Sequence, residues 1–219
     1  MSKDCTEISN YKMQSNSTHL LQGEDLSCTR DDRELFTNLS FSVHPGQVLL
    51  LEGNNGSGKT SLLRIICGFR EPDTGAVSWC GEEIPHSQYY SDMAYVGHMD
   101  GIKKELTVLE NLRLSLALSQ PGKLTIQQAL EKVQLVGYDD TLIQALSAGQ
   151  KRRLSLARLL TTHNILWILD EPFTSLDKQG IALIESLMAE HCANGGMMVM
   201  TSHHDVNLQG VDVHRIRLA

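Results

Sequence analysis

Basic residues are in deficit here: 19 Lys and Arg stand against 26 Asp and Glu, a net charge of −7 over 219 residues. Phosphate backbones are gripped by clustered cations, so this balance excludes a broad polyanion-binding surface, and nucleic acid as the main partner. Long apolar runs are missing too. The longest, Ile165-Leu166-Trp167-Ile168-Leu169, falls far short of the roughly 20 residues that a membrane-spanning helix requires. Cysteines stand at positions 5, 28, 67, 80 and 192, an odd number without CxxC spacing. That argues against a disulfide framework and against a zinc site, and it points to a reducing cytosol. Aromatics are sparse, with two Trp, five Tyr and four Phe. The opening MSKDCTEISNYKMQSNSTHL lacks the apolar core of a secretory signal and the Arg-rich amphipathic character of a transit peptide. Residues 1–19 read as a polar, mobile extension.

What is present suits a globular chain: 41% apolar and 21% charged residues, enough for one large domain or two small ones. Leu39, Phe41 and Val43 alternate with polar neighbours. After the turn His44-Pro45-Gly46 comes the solid block Val48-Leu49-Leu50-Leu51. This predicts a half-exposed strand feeding a fully buried one. Residues 59–69 carry Leu62, Leu63, Ile65 and Ile66 at helical spacing, with Cys67 read as a buried thiol. Residues 75–79 and 93–96 read as further strands. Between about 99 and 162 the strand signal disappears, and two capping boxes, Thr107 with Glu110 and Thr125 with Gln128, open helical segments. Residues 165–169 and 197–201 return to the buried-strand pattern, with a helix over 178–192 between them. The architecture expected is α/β, a parallel core interrupted by a helical insertion.

Gly53-Asn54-Asn55-Gly56-Ser57-Gly58-Lys59-Thr60 lies between the buried strand and the first helix, with Ser61 following. Glycines there let backbone N–H groups curl around phosphate oxygens, and the helix N-terminus adds its unpaired donors. Lys59 is expected to reach the β and γ phosphates of ATP, and the Thr60 hydroxyl to bind Mg²⁺. The strand over 165–169 runs into Asp170-Glu171. At the carboxyl end of a buried strand, Asp170 is placed to hold Mg²⁺, directly or through water, and Glu171 to orient or deprotonate the attacking water. Leu146-Ser147-Ala148-Gly149-Gln150 precedes a helix expected over residues 151–161, and its small residues expose a second cluster of backbone donors at the helix N-terminus, a second phosphate-binding surface. Lys151-Arg152-Arg153 reads as a solvated face. The adjacent His203 and His204 do not form a metal pair. Nine scattered histidines without a CxxCH motif predict no haem ligation by this chain.

These segments resemble the nucleotide-binding subunits of ATP-binding cassette (ABC) transporters. Residues 53–60 match Walker A, 146–150 the signature segment, 165–171 Walker B, Ser175-Leu176-Asp177 the D-loop, and Thr201-Ser202-His203 the switch histidine. The resemblance covers roughly residues 20–219. It implies a P-loop NTPase, an ABC-type ATPase core with an N-terminal antiparallel β subdomain and an inserted helical subdomain at about 99–162. It also implies two copies meeting head to tail, each ATP held by one copy's Walker A and by Ser147, Gly149 and Gln150 of the other, with His203 and Lys59 at the γ-phosphate. More narrowly, Val96-Gly97-His98-Met99-Asp100-Gly101-Ile102-Lys103-Lys104-Glu105-Leu106-Thr107, residues 146–153 and residues 167–174 resemble the ATP-binding subunits of bacterial cytochrome c maturation systems. That resemblance implies integral membrane partners, a peripheral location on the cytoplasmic side of the inner membrane, and work in haem export or in haem release from a carrier. A soluble ABC ATPase of Fe–S cluster assembly is the alternative. Two departures stand out. Where most cassettes have a glutamine contacting Mg²⁺ and the attacking water, this chain has His98, whose imidazole offers no amide oxygen. No aromatic occurs between Tyr11 and Phe36 to stack on adenine, which leaves Arg30 as the stacking candidate.

Overall fold

A computed structural model describes residues 19–98 and 101–218. The expected N-terminal extension, except for His19, lies outside the described residues, as do Cys5 and residues 99–100. In chain order the first elements are β1 (Leu21–Arg30), β2 (Arg33–Val43), β3 (Gln47–Glu52), α1 (Lys59–Ile66), β4 (Thr74–Trp79), β5 (Glu82–Glu83), α2 (Ser87–Asp92) and β6 (Met93–Val96). There follow α3 (Val108–Ala117), α4 (Ile126–Lys132), α5 (Ala148–Thr161), β7 (Leu166–Leu169), α6 (Lys178–Ala193), β8 (Met197–Thr201) and β9 (Asp212–Arg217).

The central sheet has the order β6-β7-β8-β3-β9, and each of its pairings is parallel. Its apolar blocks are unbroken because both faces are covered. Val48 and Leu50 of β3, Trp167 and Leu169 of β7, and Met198 and Met200 of β8 join one cluster with Leu154 of α5 and Met188 of α6. The intervening Leu49, Leu51, Leu166, Ile168 and Val199 join a second cluster with Leu62 and Ile66 of α1 and Trp79 of β4. Each fully buried side chain of this size contributes roughly 1.5–3 kcal/mol. The second cluster also seats the antiparallel sheet β2-β1-β4-β5.

Helix α1 starts at Lys59 and stops sooner than its apolar spacing suggests. Gly68 takes φ +70, and the Phe69 N–H turns back to the Arg64 carbonyl at 2.9 Å. This left-handed glycine closes the last turn. Between β6 and β7 the regular elements among the described residues are helices, joined by loops, and both capping boxes form in full, at Thr107 with Glu110 and at Thr125 with Gln128.

Three elements have no sequence signal of their own. Strand β1 breaks its alternation at bulges around residues 23–28, with Asp25 at φ +49. Strand β9 is the polar DVHRIR, held by parallel pairing to the buried β3. Helix α2, SQYYSD, is short and polar, and its N-cap is His86. The fold still places the expected segments together. In a parallel sheet, β3, β7 and β8 end on the same side, so residues 53–58, Asp170-Glu171 and Ser202-His203 all emerge there.

Candidate active site

The loop after β3 is shaped by close approaches. Gly53 adopts φ +146, and a Cβ there would lie 2.5 Å from both the Leu218 carbonyl oxygen and Ser57 Oγ. Lys59 opens α1 and is buried. Its Nζ donates to the carbonyls of Gly53 at 2.6 Å and Asn54 at 3.1 Å. The ammonium is thus held across the mouth of the loop. Ser57 Oγ is buried and, among the described residues, has no hydrogen-bond partner. Thr60 is exposed beside it, and Ser61 is buried.

At the end of β7, Asp170 is 6% exposed and its Oδ1 accepts from Thr201 Oγ1 at 2.7 Å. The same hydroxyl accepts from the Glu171 N–H at 2.9 Å, which ties the turn after β7 to the end of β8. Glu171 has φ +52, a left-handed conformation that a non-glycine residue adopts only when its surroundings impose it. The His203 N–H donates to Glu171 Oε2 at 3.1 Å, and His203 Nε2 lies 3.4 Å from Oε1. Glu171 Oε1 makes no hydrogen bond among the described residues. An unpaired carboxylate oxygen beside an imidazole is the arrangement of a group that can take a proton from water.

One cleft is lined by Lys59, Thr60, Asp170, Glu171 and His203 together with Arg30 and His98. Asn55, Gly56, Gly58 and Ser61 line it as well. Gly53 and Asn54 line an adjoining hollow that shares His203 with it. The donor set of the cleft, a threonine hydroxyl and a carboxylate, is made of hard oxygens and suits Mg²⁺. Cys67 behind it is buried, and desolvation, with the Asp170 charge adding to it, pushes its thiol up to about 12.

Ser147, Gly149 and Gln150 do not line this cleft. They form the first turn of α5, where Ser147 Oγ accepts from the Gln150 N–H at 3.2 Å and Gln150 Oε1 accepts from the Ser147 N–H at 2.8 Å. A Cβ on Gly149 would stand 2.9 Å from the Ser175 carbonyl oxygen, so the signature turn presses against the D-loop of its own chain.

One expectation is corrected. Arg152 is not part of a solvated face; it is 3% exposed and donates to backbone carbonyls around Glu171. Arg152, Ser155, Leu156 and Leu159 are all buried and spaced i, i+3, i+4, i+7. Extending the apolar face of α5 backwards by one turn would have found it. Residue type alone could not, since a guanidinium can be buried once carbonyls take its protons.

A phosphate-binding loop after a buried parallel strand, with a magnesium-type carboxylate and a candidate base at the end of a neighbouring strand, defines a P-loop ATPase. The chain belongs to the ABC transporter family, whose match runs over residues 36–174. It is 45% identical to the cytochrome c biogenesis ATP-binding export protein CcmA of Vibrio vulnificus strain CMCP6, across 91% of this chain and 99% of that one. CcmA of Methylococcus capsulatus is 50% identical across 87% and 94%. Within the family the chain therefore groups with the CcmA proteins. Among solved structures, an ATP-binding subunit of an ABC transporter, 28% identical, matches with a TM-score of 0.74 over 84% of this chain and 80% of that one. CbiO1 of Clostridium perfringens, part of the ABC transporter complex CbiONQ, shares the fold at 22% identity, with a TM-score of 0.76 over 92% and 87%. Among the described residues no helix is long and apolar enough to cross a membrane.

Proposed function

We propose that this chain is the ATP-hydrolysing subunit of an ABC export system on the cytoplasmic face of the bacterial inner membrane, energising haem export or haem release for cytochrome c maturation. The observation that carries the reading is end-to-end identity with CcmA export proteins, 45% across 99% of one relative's length. These relatives favour haem export over the Fe–S assembly alternative.

In this reading ATP lies with its phosphates over residues 53–60 and Arg30 stacks on the base. Lys59 leaves its loop carbonyls for the β and γ oxygens. The Thr60 hydroxyl and the Asp170 carboxylate, the latter directly or through water, would hold Mg²⁺, which would supply neutralisation of phosphate charge. Glu171 takes a proton from water as its oxygen bonds to the γ phosphorus and the bond to the ADP oxygen breaks. His203 orients Glu171 and faces the γ-phosphate. His98 stands where a glutamine is usual and contacts the same region. Ser147, Gly149 and Gln150 are absent from the cleft of their own chain because they serve the ATP of a second copy, docked head to tail.

The test is co-purification from detergent-solubilised membranes. Integral subunits of the cytochrome c maturation machinery should come down with this chain and stimulate its ATPase, and deleting the gene should abolish holo-cytochrome c. Recovery from cytosol with soluble Fe–S scaffold proteins would overturn the assignment.

A further inference from the structure

The buried guanidinium of Arg152 ties the helix that carries it to two other functional segments. It projects from the second turn of α5, the helix whose first turn carries Ser147 and Gly149. Its Nε donates to the Pro172 carbonyl at 3.0 Å and its Nη1 to the Gly97 carbonyl at 2.9 Å. Its Nη2 donates to the carbonyls of Asp170 at 2.8 Å and Glu171 at 2.7 Å. Gly97 immediately precedes His98. One nitrogen therefore grips the carbonyls on both sides of the Glu171 Cα, while Nη1 reaches the strand end that leads into His98.

The grip matters because of the backbone it holds. Glu171 sits at φ +52, which an L residue with a Cβ leaves readily unless both neighbouring peptide planes are fixed. The Thr201 hydroxyl fixes the peptide N–H. Arg152 fixes the two carbonyls. Only a planar fork of several donors can satisfy four diverging carbonyls from one side chain, which a point-like ammonium cannot do.

We propose that Arg152 is a positioning residue for hydrolysis: it holds Glu171 in the left-handed turn that aims its carboxylate into the cleft, and it makes that aim depend on the placement of α5. The inference rests on the reading of Glu171 as the base. It gives the first turn of α5, where the partner copy's phosphate docks, a rigid connection to the base of its own chain.

The experiment uses the chain assembled with its membrane subunits. Arg152→Gln and Arg152→Lys are compared with the unaltered protein for kcat, KM for ATP, ATP binding at equilibrium and thermal melting. In Arg152→Gln, kcat should fall about tenfold or more while KM and the ATP dissociation constant move less than about threefold, because the group acts after binding. Arg152→Lys should recover part of that loss. In a Glu171→Gln background, adding Arg152→Gln should leave the residual phosphate release unchanged, since the base it positions is already gone. Equal fold losses in both backgrounds would overturn the proposal, as would a kcat per bound ATP within about twofold of the unaltered protein. If both variants lose ATP binding and cooperative melting together, Arg152 is a packing residue and the proposal falls. Failure of the underlying reading looks different: Glu171→Gln alone would keep full turnover.

Discussion

Lys59 already rests on oxygen atoms, the carbonyls of Gly53 and Asn54, so its ammonium exchanges one set of acceptors for another when phosphate arrives. Removing it leaves the loop without its cation but the core of α1 untouched. Lys59→Ala should lower phosphate release by about 100-fold or more, the scale expected for losing a charge aimed at a transferring phosphoryl group. The melting temperature should stay within a few degrees, and turnover within twofold of the unaltered protein would remove Lys59 from the site. The pairing of Lys59 with Asp170 and Glu171 was legible in sequence because each follows a buried strand within a few residues. Arg152 was not legible from its residue type. Its burial depends on four carbonyls supplied by segments 18 to 55 residues away.

At the scale of elements, α6 is held to the central sheet by His191 as well as by its apolar face. The His191 ring stacks on Trp167 with centroids 3.8 Å apart and 8° between planes, and its Nε2 lies 3.1 Å from the Ile165 carbonyl oxygen. Burial lowers its pKa from 6.5 to about 4, against the pull of the carbonyls of Met197 and Ile165. The folded protein therefore keeps this ring neutral where the unfolded chain protonates it. Between pH 6.5 and about 4 the unfolded state binds more protons, so stability falls as pH falls through that window. The loss attributable to this one ring is on the order of 2 kcal/mol after allowance for solvent screening. Melting curves from pH 7 to pH 4 should show it, and His191→Gln, which keeps an N–H donor but cannot titrate, should flatten the slope. An unchanged slope in the variant would mean that other groups carry the acid sensitivity. Elements with a continuous or strictly periodic apolar pattern, such as β3, β7, β8 and α6, could be read ahead of the structure. Strands β1 and β9 could not, because bulges interrupt one, and the other is a polar edge strand held by backbone pairing to β3 rather than by an apolar pattern of its own.

At the scale of the molecule, the cleft contains every proposed catalytic group and none of the α5 first turn. In the proposed reading a single chain is half a catalytic unit. Glu171→Gln keeps an amide that can hydrogen-bond water but cannot accept its proton, so ATP should bind and persist. Persistent ATP acts as a ligand of the closed pair and favours it by mass action. The molar mass of Glu171→Gln protein, with membrane subunits present, should rise on adding ATP. Ser147→Arg should prevent the rise by placing a bulky side chain over the helix N-terminus where phosphate must dock. If the partnered Glu171→Gln complex neither retains ATP nor closes, or if Ser147→Arg makes no difference, the two-copy site is wrong.

The amino-acid sequence by itself determined the chemistry. A glycine-spaced loop between a buried strand and a helix, two carboxylates at a strand end and a serine-capped helix start are short-range patterns, so each part of the proposed site is written within a few residues of its own segment. Only the tertiary structure decided what those patterns meet. It brought Arg30 and His98 to the same cleft as Lys59, turned Arg152 inward, and left Ser147 outside. The physical reason is that burial and hydrogen-bond satisfaction are set by neighbours from distant segments: a residue's type states what it can pair with, and packing alone selects its partner.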